Sequence, residues 1–301
     1  MPEQVELSLD EANELLSAWA CHRAEERGIR MLLIKGRALS DYGLRPRRTS
    51  ADVDVLVDPA RFAEYCTAII DAGWEEFPGT FASDAFTLHS RSFRRSGWPN
   101  SFDVHSYYPG FLVAPDVAFD ALWERRATAE FAHRRCPVPD RASSILILAL
   151  HSLRGTDQQP RHRDELAAVR ALILTDAERI DLGDAARETG AAAALREILP
   201  AMGVVVEVSA DDLRTPEYRE WHRKTAEARG AAASWLLLFG RARWRDKPGV
   251  IRQAVWPTRA DFAINHPEVP DRWLPQVKAR IARWARGIRH LPAALAALLK
   301  G

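Results

Sequence analysis

Two aspartates in one short apolar stretch have the spacing of a metal site. Asp52 and Asp54 stand in the run Ala51-Asp-Val-Asp-Val-Leu-Val57. Side chains of a β-strand alternate between two faces, so both carboxylates lie on one face while Val53 and Val55 point into the core. Like charges this close repel each other, whereas a divalent cation binds well to several carboxylate oxygens. The sequence therefore predicts a metal site here, and repulsion predicts that Asp54→Asn would stabilise the metal-free protein.

A strand, a glycine turn and a helix start precede these aspartates. The apolar run Met31–Ile34 has the length of a buried strand, Lys35-Gly36 follows it, and residues 37–40 suit the first turn of a helix. Free backbone N–H groups and the helix dipole favour a phosphate at such a turn. We therefore expect a phosphate site, with Lys35 beside it, facing the metal site. The alternative is an ordinary surface lysine that closes a strand.

Two alternating stretches further along the chain predict a β-hairpin. They cover residues 85–93 and 101–107, and the segment between them is rich in turn residues. In the second strand Asp103 and His105 share one face, while the apolar residues that alternate with them occupy the other. His105 would either orient a carboxylate or the acceptor, or serve as a hydrogen-bonded histidine at a strand end.

Together these motifs resemble the nucleotidyltransferases with the polymerase-beta-like fold. Within that superfamily they look most like the bacterial branch labelled as uncharacterised nucleotidyltransferases. The resemblance rests on Lys35-Gly36-x-Ala-Leu, on Tyr42 with an arginine after it, on the Asp-Val-Asp strand, and on the Asp-x-His pattern at Asp103. It implies an α+β fold, in which a small mixed-sheet catalytic domain (1–138) precedes an all-helical domain (139–301) that closes the cleft.

The resemblance also implies a set of site residues and a reaction. Asp103 becomes the third acid, and the acids would hold Mg²⁺, two ions by the logic of related enzymes. The implied residues are catalytic and metal-binding Asp52, Asp54 and Asp103, and nucleotide-binding Lys35, Gly36, Arg48 and His105. The expected enzyme moves a nucleoside monophosphate from an NTP such as ATP to a hydroxyl or phosphate of a small-molecule or peptide acceptor, and releases pyrophosphate.

Two alternatives to this function stay open. One is a toxin-like enzyme that adds nucleotides to an RNA end, and the other is a non-catalytic nucleotide-binding module of the same fold. The sequence does not identify the acceptor, the nucleotide or the oligomeric state.

Composition fits a folded protein of ordinary charge. The chain has 301 residues, enough for two domains, and its 47% hydrophobic and 28% charged residues are typical of soluble globular proteins. A net charge of +1 gives no overall reason to expect nucleic acid. Three cysteines in unrelated contexts predict neither a disulfide framework nor a metal knuckle. With no secretory signal and no apolar segment long enough for a bilayer, we expect a cytoplasmic location.

The texture of the chain changes near residue 140. Before it, Ser8 begins a helix with a capping-box pattern, and further helices are expected at 59–72 and 116–126. After it, helical patterns follow one another at 143–153, 163–174, 183–199, 216–239 and 247–255. Pro137 and Pro139 interrupt the pattern, so the sequence predicts a linker at 135–142.

Two basic groups in the second half have open interpretations. His151, Arg154, His162, Arg163 and Asp164 cluster around one helix–loop–helix, and a surface cluster is favoured over contact with the base or acceptor. Residues 272–300 contain no acidic residue and combine a helical apolar stripe, including two tryptophans, with several arginines. The favoured interpretation is a terminal helix docked by its tryptophans with its arginines in water, and the alternative is binding to an anionic partner or membrane surface.

Overall fold

The computed structural model describes residues 6–78, 89–155, 160–227, 238–240, 242–259, 261–262, 269–270 and 272–285. The chain divides into two compact units. The first comprises Met1–Phe77 with His89–Trp221, and the second comprises Pro78–Leu88 with His222–Gly301. The predicted division at residues 138–139 falls inside the first unit, at the point where strands give way to helices, and it stays a prediction.

A five-stranded mixed sheet forms the centre of the first unit, as predicted. Its strands are β1 (Met31–Ile34), β2 (Asp52–Val57), β3 (Glu75–Glu76), β4 (Ser90–Arg94) and β5 (Ser101–His105). They lie in the order β1-β2-β5-β4-β3, and only the β2–β5 pair is parallel. The predicted hairpin is therefore confirmed in β4 and β5, while residues 85–88 of its first strand lie outside the described residues.

Three helices complete the predicted first part. They are α1 (Leu9–Glu26), α2 (Gly36–Asp41) and α3 (Phe62–Asp71), the last preceded by a 3₁₀ turn at Pro59–Arg61. Helix α1 begins with the expected capping box, in which the Ser8 hydroxyl accepts from the Glu11 N–H and the Glu11 carboxylate accepts from Ser8. Asn13 of the same helix donates to the Ser50 carbonyl at 2.8 Å, which fixes the loop that leads into β2.

The two faces of the sheet carry different chemistry. Val53 and Val55 of β2 pack in a buried cluster with residues of α1 and α3. The opposite face of β2 carries Asp52 and Asp54 at one end and the buried Leu56 at the other. Because strand side chains alternate, these three residues share one face of β2, which is acidic at one end and apolar at the other.

A second hairpin stands where the sequence analysis placed a linker. Strands β6 (Ala127–Phe131) and β7 (Arg134–Val138) pair in antiparallel register, after helix α4 (Pro115–Glu124). The linker prediction for 135–142 is wrong, because Cys136 and Val138 are buried in the cluster beneath the main sheet. Pro137 is accommodated because β7 has only one paired neighbour in this two-stranded sheet.

Helices cover the apolar end of the second sheet face. They are α5 (Arg141–Gly155), α6 (Pro160–Arg170), α7 (Asp176–Glu188), α8 (Ala191–Ala194) and α9 (Pro216–Glu227). The continuous apolar segment Ile145–Leu150 of α5 is wholly buried, and it belongs to one cluster with Leu32 and Leu56 of the sheet. Helices α5 to α8, and α9 as far as Trp221, thus belong to the same hydrophobic core as the sheet within the first unit.

The last described helix, residues 273–285, docks differently from the prediction. Arg280 is buried, donates to the Pro257 carbonyl at 2.6 Å and places its guanidinium carbon 4.3 Å from the centroid of the Phe262 ring. Trp273 and Trp284 are 75% and 50% exposed. The expectation of buried tryptophans and solvated arginines is therefore wrong for these residues, because carbonyl and aromatic contacts satisfy the buried guanidinium. Helix α10 (Lys247–Val255) precedes it, and residues 286–301 lie outside the described residues.

Within the described ranges, no helix combines the length and the apolar character that crossing a bilayer requires.

Gly190 provides a test of the packing between the turn that joins α7 to α8 and the segment before α4. Its φ is +70°, and a Cβ at this position would stand 2.8 Å from the backbone nitrogen of Val113. We expect Gly190→Ala to lower the free energy of unfolding by about 3 kcal/mol, because strain and a backbone clash add together. Gly97→Ala is the matched control, since its φ is +81° but no atom lies within 4 Å, and it should cost only about 1 kcal/mol. Equal losses in urea denaturation would contradict the packing described here.

Candidate active site

The three predicted acids converge on one point of the sheet. Asp54 of β2 lies directly opposite Asp103 of β5 in the parallel register, and Asp52 precedes Asp54 by one full alternation. Each carboxylate offers an oxygen, and these oxygens all lie within 4.8 Å of one another. Oxygen ligands in this number and proximity suit a hard divalent cation such as Mg²⁺. The donor set therefore fits the predicted metal site.

Asp54 carries the most buried charge of the three. Its side chain is 6% exposed, and its Oδ1 atom lies 2.7 Å from Lys35 Nζ and 2.9 Å from His105 Nε2. Burial alone would raise the pKa of Asp54, but the Lys35 ammonium and the hydrogen bond from His105 hold that pKa well below its ordinary value. Burial likewise opposes the charge of Lys35, yet Asp54 and then Tyr108 raise the Lys35 pKa above its usual range.

The backbone of the Lys35-Gly36 turn is strained, and this turn places Lys35 next to Asp54. Lys35 has φ +61° and ψ −131°, and Gly36 has φ +50°. Two successive residues with positive φ turn the chain sharply out of β1, and a non-glycine residue in such a conformation costs on the order of 1–3 kcal/mol. A Cβ on Gly36 would meet no atom within 4 Å, so open space lies beside the turn. Helix α2 has only six residues, so its dipole adds little to any phosphate site.

The other two acids have different surroundings. The Ser50 hydroxyl donates to Asp52 Oδ1, so the loop before β2 orients that carboxylate. Burial and the neighbouring charge of Asp54 raise the pKa of Asp103. The triad therefore contains Asp54, whose negative charge is balanced mainly by Lys35, and Asp103, whose negative charge is disfavoured by burial and by Asp54.

Arg45, a buried arginine that the sequence analysis did not select, forms a hydrogen bond with the backbone of the Lys35-Gly36 turn. Arg45 Nη2 donates to the Gly36 carbonyl at 3.0 Å, and its side chain is only 8% exposed. Burial, then the charge of Arg48, lowers the pKa of Arg45 to about 10. Glu165 of α6 lies 3.8 Å from Arg45 Nη1 and 3.4 Å from Arg48 Nη2, so it links the helices to the loop before β2. Arg48, predicted to bind nucleotide, stands at the edge of this group.

The histidine group of α5 and α6 lies beside the acids. His162 is 5% exposed, and its ring makes an edge contact with the His151 ring at 4.9 Å between centroids. Burial, followed by the charge of Lys35, lowers the pKa of His151 to about 2, and the charge of Asp54 also acts on it. The favoured interpretation as a surface cluster is thus wrong for His151 and His162, because α5 packs against the sheet, whereas Arg163 is exposed as expected.

A cleft borders the Lys35-Gly36 turn. It is bordered by Lys35, Gly36, Asp52 and Asp54, and its further walls come from α1, from the loop before β2 and from β6. The basic side chains on these walls are Arg37, Arg47 and Arg48. The predicted site residues Lys35, Gly36 and Arg48 therefore share one cleft with two of the acids, while Asp103 and His105 adjoin it through Asp54.

The contrast between Asp54 and Asp103 predicts opposite effects of removing their charges. Asp54→Asn leaves the Lys35 ammonium buried without its partner, so the metal-free protein should lose about 3 kcal/mol of stability. This reverses the stabilisation expected from repulsion between Asp52 and Asp54 alone. Asp103→Asn removes a charge that burial disfavours, so it should raise the melting temperature. Thermal unfolding in EDTA at pH 7 measures both.

The pH of that experiment follows from the pKa shifts. Stabilisation through the lowered Asp54 pKa is present above the unfolded value of 3.8 and is lost as pH falls through the folded value. Stabilisation through the raised Lys35 pKa is present below 10.5 and is lost as pH rises through the folded value. At pH 7 the pair contributes fully, and an Asp54→Asn protein more stable than wild type would contradict the pairing.

The comparisons with known proteins identify the family. A family model described as "Uncharacterised nucleotidyltransferase" matches residues 9–208, more than half of the chain. A search of curated proteins found no match. Among solved structures, lincomycin-bound lincosamide antibiotic adenylyltransferase LnuA is 12% identical with a TM-score of 0.35, covering 52% of this chain and 95% of its own. An antigenic nucleotidyltransferase-like protein from Paracoccidioides brasiliensis is 14% identical with a TM-score of 0.41, covering 68% and 98%.

These structural likenesses are too low to carry an argument about the chemistry of this chain. The family match does not depend on them, and it agrees with the motifs that predicted a nucleotidyltransferase. The chain belongs to the family of uncharacterised nucleotidyltransferases that this model describes.

Proposed function

We propose that this nucleotidyltransferase moves a nucleoside monophosphate from an NTP, such as ATP, to a hydroxyl or phosphate on a small molecule or peptide. The reaction depends on Mg²⁺ and releases pyrophosphate. One observation carries the proposal, namely three carboxylates with oxygens within 4.8 Å of one another beside the Lys35-Gly36 turn. A solvated acidic edge would not place its central carboxylate 6% exposed between a lysine and a histidine.

The acids would hold the cation, and the turn would hold the phosphates. Asp52, Asp54 and Asp103 supply the ligands for Mg²⁺, as one ion or as two. When bound, Mg²⁺ supplies positive charge to the phosphate oxygens and acidifies the attacking hydroxyl. Lys35 and the Gly36 N–H neutralise the charge that develops on the departing pyrophosphate.

The side chains of the site also organise the transfer. The acceptor oxygen attacks the α-phosphorus, the bond to the bridging oxygen breaks, and pyrophosphate leaves with the electron pair of that bond. Asp103 receives the acceptor proton, since burial and the neighbouring charge of Asp54 raise its pKa and so favour its protonated form. His105 keeps Asp54 oriented through its 2.9 Å contact, which supports a positioning role close to the nucleotide site.

The two alternative functions have less support. The RNA-end activity rested on the basic segment 272–300, but Arg280 of that segment is buried and Arg283 donates to the Ala254 carbonyl at 2.7 Å. These contacts engage two of the arginines on which that alternative depended, while Arg286 and Arg289 lie outside the described residues. The non-catalytic nucleotide-binding module shares every structural feature of the site, so only a measurement of turnover separates it from the enzyme.

Pyrophosphate release tests the proposal directly. Wild-type protein is incubated with each NTP, Mg²⁺ and a panel of acceptors, and pyrophosphate is measured by a coupled assay. We expect Asp52→Asn and Asp103→Asn to reduce release on the order of 100-fold or more, because each removes a charged ligand next to the reacting phosphate. Asp116→Asn is the matched control, since Asp116 is exposed on α4 away from the triad.

The outcomes separate the enzyme from the binding module. Release by wild type and the control, and its loss in both triad variants, supports the enzyme. Equal release from all four proteins would contradict catalysis at the triad. Tight binding of an Mg²⁺–NTP complex without release across the acceptor panel would favour the binding module.

A further inference from the structure

Three basic side chains form a group beside the active site that the proposed reaction does not use. His151 and Arg154 belong to α5, and His162 belongs to α6. The two imidazole rings are 4.9 Å apart between centroids, and the Arg154 guanidinium carbon lies 5.3 Å from the centroid of the Tyr108 ring. We refer to His151, Arg154 and His162 as the basic cluster.

The basic cluster lies close to the reacting groups. The charges of Lys35 and Asp54 both act on the pKa of His151. Tyr108, which contacts Arg154, also raises the pKa of Lys35, and its ring centroid lies 6.2 Å from that of His105 with the ring planes tilted by 51°. The cluster and the acids are therefore neighbours within one compact unit.

Each member of the cluster carries a polar nitrogen whose hydrogen-bonding capacity is unused. His151 Nδ1, His162 Nδ1 and Arg154 Nε are buried and have no hydrogen-bond partner in the part of the chain that the structure describes. No carboxylate of the described residues forms an ion pair with any of the three side chains. Buried polar atoms without partners are costly and uncommon in native proteins. A ligand rich in acceptor oxygens and negative charge would satisfy them.

The cluster is separate from the cleft that suits the nucleotide. That cleft has its own basic side chains, Arg37, Arg47 and Arg48, and none of its walls is formed by the basic cluster. Glu165, the nearest acid on α6, is already engaged by Arg45 and Arg48. Arg154 forms no ion pair within the part of the chain that the structure describes, and it lies near Tyr108 and the acids.

We propose that the basic cluster binds an anionic group, a phosphate or a carboxylate, of the acceptor. This inference rests on the proposed function and narrows its substrate class to acceptors that carry a negative charge close to the attacking oxygen. Arg154 contributes charge and N–H donors, and the two imidazoles contribute one N–H donor each. The same oxygen-rich chemistry occurs in the phosphates of the nucleotide, so the experiment must distinguish these two sources.

The test uses inorganic phosphate as the probe and the histidines as reporters. Full-length protein labelled with ¹⁵N at histidine is titrated with phosphate, and the imidazole signals of His151 and His162 are followed by NMR. We expect both signals to shift, and Arg154→Gln to weaken phosphate binding about tenfold through loss of one charge-assisted contact. Arg163→Gln is the matched control, because this neighbour of His162 is exposed, and it should leave phosphate binding unchanged.

A second titration in the presence of Mg²⁺ and a saturating non-hydrolysable NTP identifies the source. Persistence of the phosphate-induced shifts supports an acceptor subsite, whereas their loss by competition would assign the cluster to the nucleotide and overturn the proposal. Absence of any shift at about 50 mM phosphate in wild type would overturn it as well, even if Arg154→Gln fails to fold. Phosphate shifts without nucleotide binding would refute the proposed function, and the acceptor assignment with it, while the anion site itself would stand.

Discussion

The ion pair between Asp54 and Lys35 is the interaction on which the site depends. A carboxylate that is 6% exposed requires a positive partner, and Lys35 supplies it at 2.7 Å. The position of that ammonium depends on the strained turn with φ +61° at Lys35. The strain is tolerated because β1 is buried, and because Arg45 donates to the Gly36 carbonyl. The pair therefore connects the fold of the sheet with the chemistry at its edge.

The Asp54–Lys35 pair also bears on how the site could hold a metal cation in addition to the Lys35 ammonium. A bound cation and the Lys35 ammonium would both be held by the Asp54 carboxylate, whose Oδ1 atom already accepts from His105 at 2.9 Å. Under the proposed function, a bound cation would weaken the ion pair between Asp54 and Lys35, and the phosphates of the nucleotide would then become the partner of the Lys35 ammonium. Under the proposed function, the lysine neutralises Asp54 in the resting protein and would neutralise the phosphates of the nucleotide once it binds.

Features governed by local periodicity could be predicted from the sequence. Strand alternation placed Asp52 and Asp54 on one face of a strand, and likewise Asp103 and His105, whereas only the resemblance to the family identified Asp103 as the third acid beside the pair. The β6–β7 hairpin was missed because its turn residues, Ala132 and His133, adopt positive φ without the glycine or asparagine that signals such a turn. Tertiary partners such as Arg45 with Glu165 leave no pattern in the sequence. A helical stripe likewise does not reveal which face docks, as the buried Arg280 shows.

The most direct test of the account is Mg²⁺ binding to wild-type and Lys35→Ala proteins by calorimetry, with and without a non-hydrolysable NTP. Without nucleotide, the variant should bind Mg²⁺ about tenfold more tightly, because no ammonium competes for Asp54. With Mg²⁺ present, the variant should bind the nucleotide more weakly by about 1.5–3 kcal/mol, because one charge-assisted contact is lost. Equal Mg²⁺ affinity in the two proteins, together with unchanged nucleotide affinity, would contradict the central role of the Asp54–Lys35 pair.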